Sequence, residues 1–413
     1  MFNDIQGWFK QSYADKIENL VPSNVYFAKE AKPLAAEQQP GGGYNVAVTL
    51  SSEQGMTKAQ SGSGAFALNA PVAMSSRFAT VMGSQFLLRS ALDYESVYNS
   101  KNKNAFVAAT KGVVENMLNS MWEQIEADCI YGGAPKGIVN AAAVLTITVT
   151  TASWASGLWL GSEGRAIRIE SAAGVLRGVC NITSYDIEAR QLIVDALPAG
   201  IIATDLIYYA ADGAASANTM VGLAAASGVT TGLLWGLNRT TWRLWAPPTP
   251  YPVGGVPFSF NHAMRAITRA TNHGLGDKIT DIDLAVNPGA FTDLSNDMAA
   301  LSTRDVSYKI EEGHNGSEKL TFHCPAGKVS VIQHRMIWES IAFVMPSAAK
   351  GFSMVGSCPK PDFALPGLTK TGEKEYLRPM ENNAGVECRL YANTAIFTPF
   401  ISKCLAIGGI VNS

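Results

Sequence analysis

The sequence predicts an α+β chain with a small β-barrel inserted into it. Three observations carry that prediction. Helix periodicity runs unbroken from Lys101 to Tyr131. Short strand patterns follow between Val144 and Asp212, at the spacing of about 10–15 residues expected of a barrel or sandwich. The last third then mixes capped helix starts with buried-strand runs.

Residues 1–20 read as an amphipathic helix with Phe2, Ile5, Phe9, Tyr13, Ile17 and Leu20 on one face. Pro22, Pro33 and Gln39-Pro40-Gly41-Gly42-Gly43 break the pattern, so this stretch forms an arm that leaves the body of the protein. An apolar helix on an arm needs a surface to dock on.

Tyr44–Leu50 alternates strictly, with Tyr44, Val46, Val48 and Leu50 on one side. After a Gly/Ser/Gln loop, the return strand lies within Ala70–Met82 and contains Val72, Met74, Phe78 and Val81. An isolated two-stranded hairpin is marginal in water. The sequence shows no local core for this one, so it is expected to meet a partner through Tyr44, Val46, Val48, Leu50, Phe66 and Phe78.

Along Lys101–Tyr131, Phe106, Thr110, Val113, Val114, Met117, Leu118, Met121, Trp122 and Ile125 recur with the helical period. Glu115, Asn119, Glu123 and Glu126 fall between them and are expected to face outward, and Gly132-Gly133 supplies the stop. At 1.5 Å per residue such a rod is roughly 45 Å long, several times the average helix. It is expected to act as a girder, with Met121 and Trp122 central in its apolar stripe.

The texture changes at Ala141. Leu145, Ile147 and Val149 alternate with threonines, and Ala166–Glu170, Val179–Ser184, Leu192–Asp195 and Asp205–Tyr209 continue the β pattern between turn signals. Beyond it, Ser259 is placed to cap a helix carrying Ala263, Ile267 and Ala270 inward. Asp281–Val286 reads as a buried strand, Asn287-Pro288 opens a helix with Phe291, Leu294 and Met298, and strands recur at Leu320–His323, Lys328–Gln333, Ala342–Met345 and through Val386–Ile410.

Composition narrows the function. Charged residues are 16% of the 413 and hydrophobic residues 47%, against about 25% charged in ordinary soluble domains. Such a chain must bury surface in partners or a membrane, and no apolar run approaches the ~18 residues of a membrane span, which favours self-association. A net charge of −2 excludes a dedicated nucleic-acid binder with a basic stripe. Arg239, Arg243, Arg265 and Arg269 are better read as aromatic-stacking and helix-surface residues. The six cysteines are scattered without metal spacing, and Met1-Phe2-Asn3-Asp4 lacks the features of a secretory signal. Free thiols in a reducing compartment are expected.

Site motifs are lacking. The sequence holds no nucleophile elbow, phosphate-binding loop, His-Glu-x-x-His or EF-hand. Asp281 and Asp283 share one strand face, read here as exposed, and lack further ligands. Glu311-Glu312 is a solvated pair, and His262, His273, His314, His323 and His334 read as structural. No catalytic residue, cofactor site or metal site is expected. Trp154, Trp159, Tyr185, Tyr208 and Tyr209 form a conceivable sugar platform, but no carboxylate pair accompanies them, and core packing of the barrel is the preferred reading.

The order of parts, together with Leu20-Val21-Pro22-Ser23-Asn24, the Leu233–Trp245 segment and the step Val286-Asn287-Pro288, resembles the Hong Kong 97 type major capsid protein of tailed bacteriophages. The resemblance implies an N-terminal arm at 1–42, an extended loop at 43–85 that lies over a neighbouring subunit, a peripheral domain with the spine helix at 86–142, an inserted β-barrel at 143–213, more of the peripheral domain at 214–258, an axial domain at 259–350, and a C-terminal return to the peripheral domain at 351–413. It implies a subunit without enzymatic activity that forms hexamers and pentamers of an icosahedral head around double-stranded DNA, built in the host cytoplasm and residing in the virion. A portal, a decoration or cement protein, and a scaffolding protein are the implied partners; because the arm follows Met1 so closely, the scaffold is expected to be separate. Some members join subunits through a loop lysine, and Lys58 is the lysine on this loop; nothing in the sequence identifies a partner for it. The alternatives are an encapsulin-type nanocompartment, which shares the fold, and a carbohydrate-binding or carbohydrate-degrading β-rich protein.

Overall fold

The computed structural model describes residues 25–34, 43–62, 64–93, 103–302, 320–363, 378–380 and 385–412. The expected helix at 1–20 with Phe2, Ile5 and Phe9 lies outside them, as do Glu311, Glu312 and His314.

The long helix spans Lys103–Tyr131. Val113, Met117, Met121 and Ile125, four residues apart in turn, are buried as their spacing requires. Trp122 is only half-buried, so Met121 holds the centre of the stripe. From Ile125 onward the helix is buried on every side, because a sheet, a strap and the barrel surround its last turns. Gly133, at φ +74°, makes the left-handed exit. Gly132 is required by close approach: a Cβ there would lie 2.1 Å from the Met220 carbonyl oxygen.

This burial overturns the expected outward position of Glu126, which has no exposed surface. Its Oε1 accepts from the backbone N–H groups of Tyr26 (3.0 Å) and Phe27 (2.8 Å), and its Oε2 from that of Ala28 (2.8 Å). Those amides open a four-residue helix, Phe27–Glu30, that has no side-chain cap of its own. A carboxylate on another helix thus does the work of an N-cap. His334 Nδ1 accepts from the Met336 amide (3.3 Å), which leaves Nε2 to donate to Glu126 Oε1 at 2.9 Å.

The strap held this way, Val25–Leu34, crosses the molecule. Phe27 is buried beside His334, the Tyr26 hydroxyl donates to Asp283 (2.9 Å), and Lys32–Pro33 pairs in parallel with Ser353–Met354. It joins two sheets. In the first, Gly385–Phe397 runs antiparallel to both Ser84–Asp93 and Ser353–Asp362, with Cys388, Leu390 and Ala392 alternating inward beneath the long helix.

The second sheet has six strands in the order Tyr251–Val256, Leu405–Ile410, Ile341–Pro346, Asp281–Val286, Gly327–Gln333 and Leu320–Cys324. Leu405–Ile410 therefore belongs to this sheet and not to a return into the first one. Its alternating Leu405 and Ile407 join the core beneath helices Phe260–Thr271 and Pro288–Ser302. The sheet separates two cores by its pleat: Ile282, Leu284 and Val286 face those helices, while Ala285, Phe343 and Met345 face the core of the long helix. Asp283 lies on the latter face, so its expected exposure is corrected. It is buried and also accepts from the Ala348 amide at 2.8 Å. Asp281 is partly exposed and pairs with Lys350.

The barrel closes in the strand order Leu206–Tyr209, Gly137–Ala143, Thr146–Val149, Gln191–Val194, Leu176–Asp186 and Ala166–Glu170. Its first strand precedes the texture change seen in the sequence, because Gly137–Ala143 is small and bland in composition. Val139, Ile147, Ile167, Ile169 and Leu192 fill it, in one continuous core with Ile125 and Tyr131 of the long helix. The chain enters the barrel past Lys136 and leaves it through Asp212, and both meet Asp128 of the long helix. Lys136 Nζ lies 2.8 Å from Asp128 Oδ1 and 3.7 Å from Asp212 Oδ2, all three side chains being buried. Burial alone lowers a lysine pKa; here the two carboxylates reverse that, and the Lys136 pKa is raised. Burial pushes Asp212 up to about 6 against the pull of Lys136.

Glu126→Ala is expected to leave three amides and an imidazole without their acceptor. An unsatisfied buried donor costs about 1–3 kcal/mol, so the variant should lose much of the ~5–15 kcal/mol usual for a domain. Urea melts against a Glu115→Ala control, at an exposed position of the same helix, test this; equal midpoints would refute it.

Glu123 is partly buried, and burial lifts its pKa to about 7 despite Arg165 nearby. The folded state then holds this proton more tightly than the unfolded chain does. The resulting stability is present below the unfolded pKa of about 4.3 and is lost as pH rises through about 7. Glu123→Gln should melt with wild type near pH ~4 and above it near pH ~8; a gap independent of pH would contradict the assignment.

Candidate assembly surface

The extended hairpin pairs Gly43–Thr49 with Ser76–Met82 in the register Tyr44↔Val81, Val46↔Ala79 and Ala47↔Phe78. The two chains continue side by side beyond the ladder. The Leu50 amide donates to Ser75 O (2.8 Å), the Gln54 amide to Val72 O (3.1 Å), and the Asn69 amide to Thr57 Oγ1 (2.8 Å). The tip is left around Lys58–Leu68.

The pleat divides the hairpin into two unlike faces. Tyr44, Val46 and Val48 are half-buried and Leu50, Ala79 and Val81 are buried, packed on the subunit's own core. Tyr44 meets the Phe397 ring at 6.3 Å, Phe397 meets Trp235 at 4.9 Å, and the Thr80 amide donates to Trp235 O at 2.9 Å. The expectation that Tyr44, Val46, Val48 and Leu50 lack a local core is therefore corrected: their core is built by residues nearly 200 to 350 positions later, out of reach of local pattern reading.

The opposite face has no such cover. Phe78 is 67% exposed and Leu68 81%, and Phe66, Val72, Met74 and Met82 are also more exposed than buried, as is Met56 on the first chain of the hairpin. Of the expected contact residues, Phe66, Phe78 and Lys58 are thus on open surface, whereas Phe2, Ile5 and Phe9 are outside the described residues. Sequence reasoning missed Met56, Leu68 and Met82. The signal for Leu68 and Met82 is the alternation Phe66, Leu68, Ala70, Val72, Met74, Ser76, Phe78, Thr80, Met82, masked by the small residues between; Met56 has none. Three charges, Glu53, Lys58 and Arg77, interrupt the whole stretch from Gly43 to Met82. Natural proteins normally blunt such an apolar strand face with charge or cover.

The other candidates do not form sites. Trp154, Trp159, Tyr208 and Tyr209 are buried in the barrel and its junction, so they present no sugar platform; Tyr185 is half-buried and its hydroxyl accepts from the Gly161 amide. Arg239 is buried and donates to the Ala226 and Val229 carbonyls, and Arg269 donates to Pro250 O. Among the described residues, no group of three or more His, Cys, Asp or Glu is placed to hold a metal, and no helix is long and apolar enough to cross a membrane. A void of about 10 Å³ beside Trp235 and Phe397 is far below a small-molecule site of roughly 300–1,000 Å³.

No family model and no curated protein matches the chain. Solved structures do. The chain superposes on a subunit of the cyanophage A-1(L) capsid with a TM-score of 0.57 at 10% identity, over 97% of this chain and 96% of that one. It superposes on the capsid protein of the native GTA particle with a TM-score of 0.50 at 8% identity, over 97% and 95% of the two chains. The likeness is one of fold and spans 97% of the chain: this is the Hong Kong 97 type capsid fold, with a small barrel inserted.

Trypsin is expected to cut the unassembled subunit first after Lys58, which stands exposed at the hairpin tip. Mass mapping of the earliest fragments checks this; a first cut within the barrel would contradict the tip geometry.

Proposed function

We propose that this chain is a structural shell subunit, the major capsid protein of a tailed-phage-type head, with no catalytic role. The observation that carries the reading is the two-faced hairpin: one face anchored in its own subunit, the other apolar and uncovered, on a fold whose solved examples build capsids. A second copy of the chain is the occupant that makes chemical sense of that face. Fully burying one large apolar side chain contributes roughly 1.5–3 kcal/mol, whereas association costs about 4–15 kcal/mol in lost freedom. The six large residues of the stripe, Phe66, Leu68, Val72, Met74, Phe78 and Met82, contribute at most about 9–18 kcal/mol, enough to offset that cost, and a closed shell, where each subunit gives and receives the contact, repeats it.

In this reading the subunits form hexamers and pentamers around double-stranded DNA, which they contact without sequence preference. They assemble in the host cytoplasm with a scaffold and a portal, a cement protein adding to the outside. Phe66, Leu68, Val72, Met74 and Phe78 are the contact residues, and Phe2, Ile5 and Phe9 of the arm are a second contact. Nuclease-protected DNA in purified particles separates this reading from an encapsulin-type compartment.

The test is expression with the neighbouring gene products, followed by negative-stain microscopy. Wild type should give shells. The double variant Phe66→Ser, Leu68→Ser should give soluble subunits that melt like wild type yet form no shells. Normal shells from the double variant would sink the proposal.

A further inference from the structure

One bulky residue at the base of the hairpin sits in a conformation that its side chain disfavours. Leu233–Leu234 and Leu237–Asn238 form a two-residue hairpin whose central residues, Trp235 and Gly236, have φ +48° and +82°. Positive φ at both centres is the turn geometry that selects Asn-Gly or Gly-Gly. Tryptophan there is strained, as a non-glycine residue is in this region. Such strain persists only where surrounding contacts over-determine it.

The contacts that Trp235 makes run to the extended hairpin. Its ring is edge-on to Phe397 at 4.9 Å and to Trp245 at 5.9 Å, and Phe397 carries Tyr44 on the hairpin's first strand. Its carbonyl accepts the Thr80 amide of the second strand. Trp245 Nε1 in turn donates to Leu234 O (3.1 Å), which holds the tight turn to the body. One residue thus grips both strands of the hairpin where they leave the subunit, one through rings and one through a backbone hydrogen bond.

We propose that Trp235 is a positioning residue for assembly: it sets the direction in which the extended hairpin leaves the subunit, and so where the apolar stripe from Phe66 to Met82 meets a second copy. This rests on the shell reading above. The strained turn is what brings the ring and the carbonyl to the hairpin together. A small residue such as Asn suits the turn better and keeps the carbonyl, but it lacks the ring that meets Phe397.

The experiment uses the full chain and four variants. Trp235→Asn keeps the left-handed turn and its carbonyl but removes the ring, and Trp235→Phe restores a ring. Thr80→Pro deletes the N–H that reaches Trp235 together with the hydroxyl that meets Asn45 Oδ1, and Thr80→Val, which loses that hydroxyl alone, is the control expected to behave as wild type. Two readouts are taken: shells by negative stain, and backbone amide exchange across Gly43–Thr49 and Ser76–Met82 in unassembled subunits. Trp235→Asn and Thr80→Pro should each speed exchange in the hairpin, leave exchange in Lys103–Tyr131 unchanged, and abolish regular shells, while Trp235→Phe should behave as wild type. Unchanged hairpin exchange in Trp235→Asn and Thr80→Pro, or regular shells from either, overturns the proposal. So does a globally unfolded Trp235→Asn subunit beside a Thr80→Pro subunit that assembles normally. Wild-type subunits that never form shells count instead against the shell reading, and the exchange data then decide the role of Trp235 alone.

Discussion

The Glu126 carboxylate is the constraint on which the two halves of this subunit depend. A buried carboxylate is tolerated only when its lone pairs are used, and here the donors come from two distant segments: three amides of the strap, and an imidazole from the loop between strands Gly327–Gln333 and Ile341–Pro346. Satisfying one charge therefore docks the strap, fixes His334 and sets the rotation of the long helix together. The strap then carries the connection onward, through Tyr26 to Asp283 and through Lys32–Pro33 to the edge of the first sheet. Apolar packing alone has no such directional demand, and a helix buried on all sides in its last turns has no outward polar face to define its rotation.

The same arrangement explains why the fold carries an open apolar face without collapsing onto it. The pleat of the hairpin commits alternate residues to opposite sides. Once Leu50, Ala79 and Val81 are buried on the core, Phe78 and Met82 have no route inward. The body holds the hairpin by one face and leaves the other to be filled from outside. That geometry, and not the overall apolar content, makes the low charge of the chain intelligible.

Much of this was legible in the sequence, and the parts that were not share a cause. Periodicity placed the long helix within two residues, and Asp281–Val286, Ala166–Glu170 and the Ser259-capped helix agree with their patterns to within a residue or two. Those elements are specified by neighbours along the chain. Glu126 was misread because charge at helical spacing ordinarily means solvent, and its partners lie about 100 and 208 positions away. The inner face of the hairpin was misread for the same reason, since Trp235 and Phe397 belong to distant segments. The stripe from Phe66 to Met82 was partly visible as alternation, but the Gly, Ser and Ala around it made the stretch look like loop. Sequence pattern locates elements well; which of their faces are already taken is decided by contacts the pattern does not contain.

Lys136 and Asp212 meet the same Asp128 side chain, although about 75 residues of barrel separate them. From the viewpoint of the long helix the barrel is a loop whose two ends are fastened at one point. The ends to be rejoined are already neighbours, so the rest of the chain keeps its path with or without the module, while the barrel itself covers Ile125 and Tyr131 of the long helix. This closure also makes the far end of the barrel the permissive part of the molecule. The Val144 turn, 87% exposed, and the Val175 tip, 60% exposed, are places where added length would meet solvent and leave the rest of the fold in place.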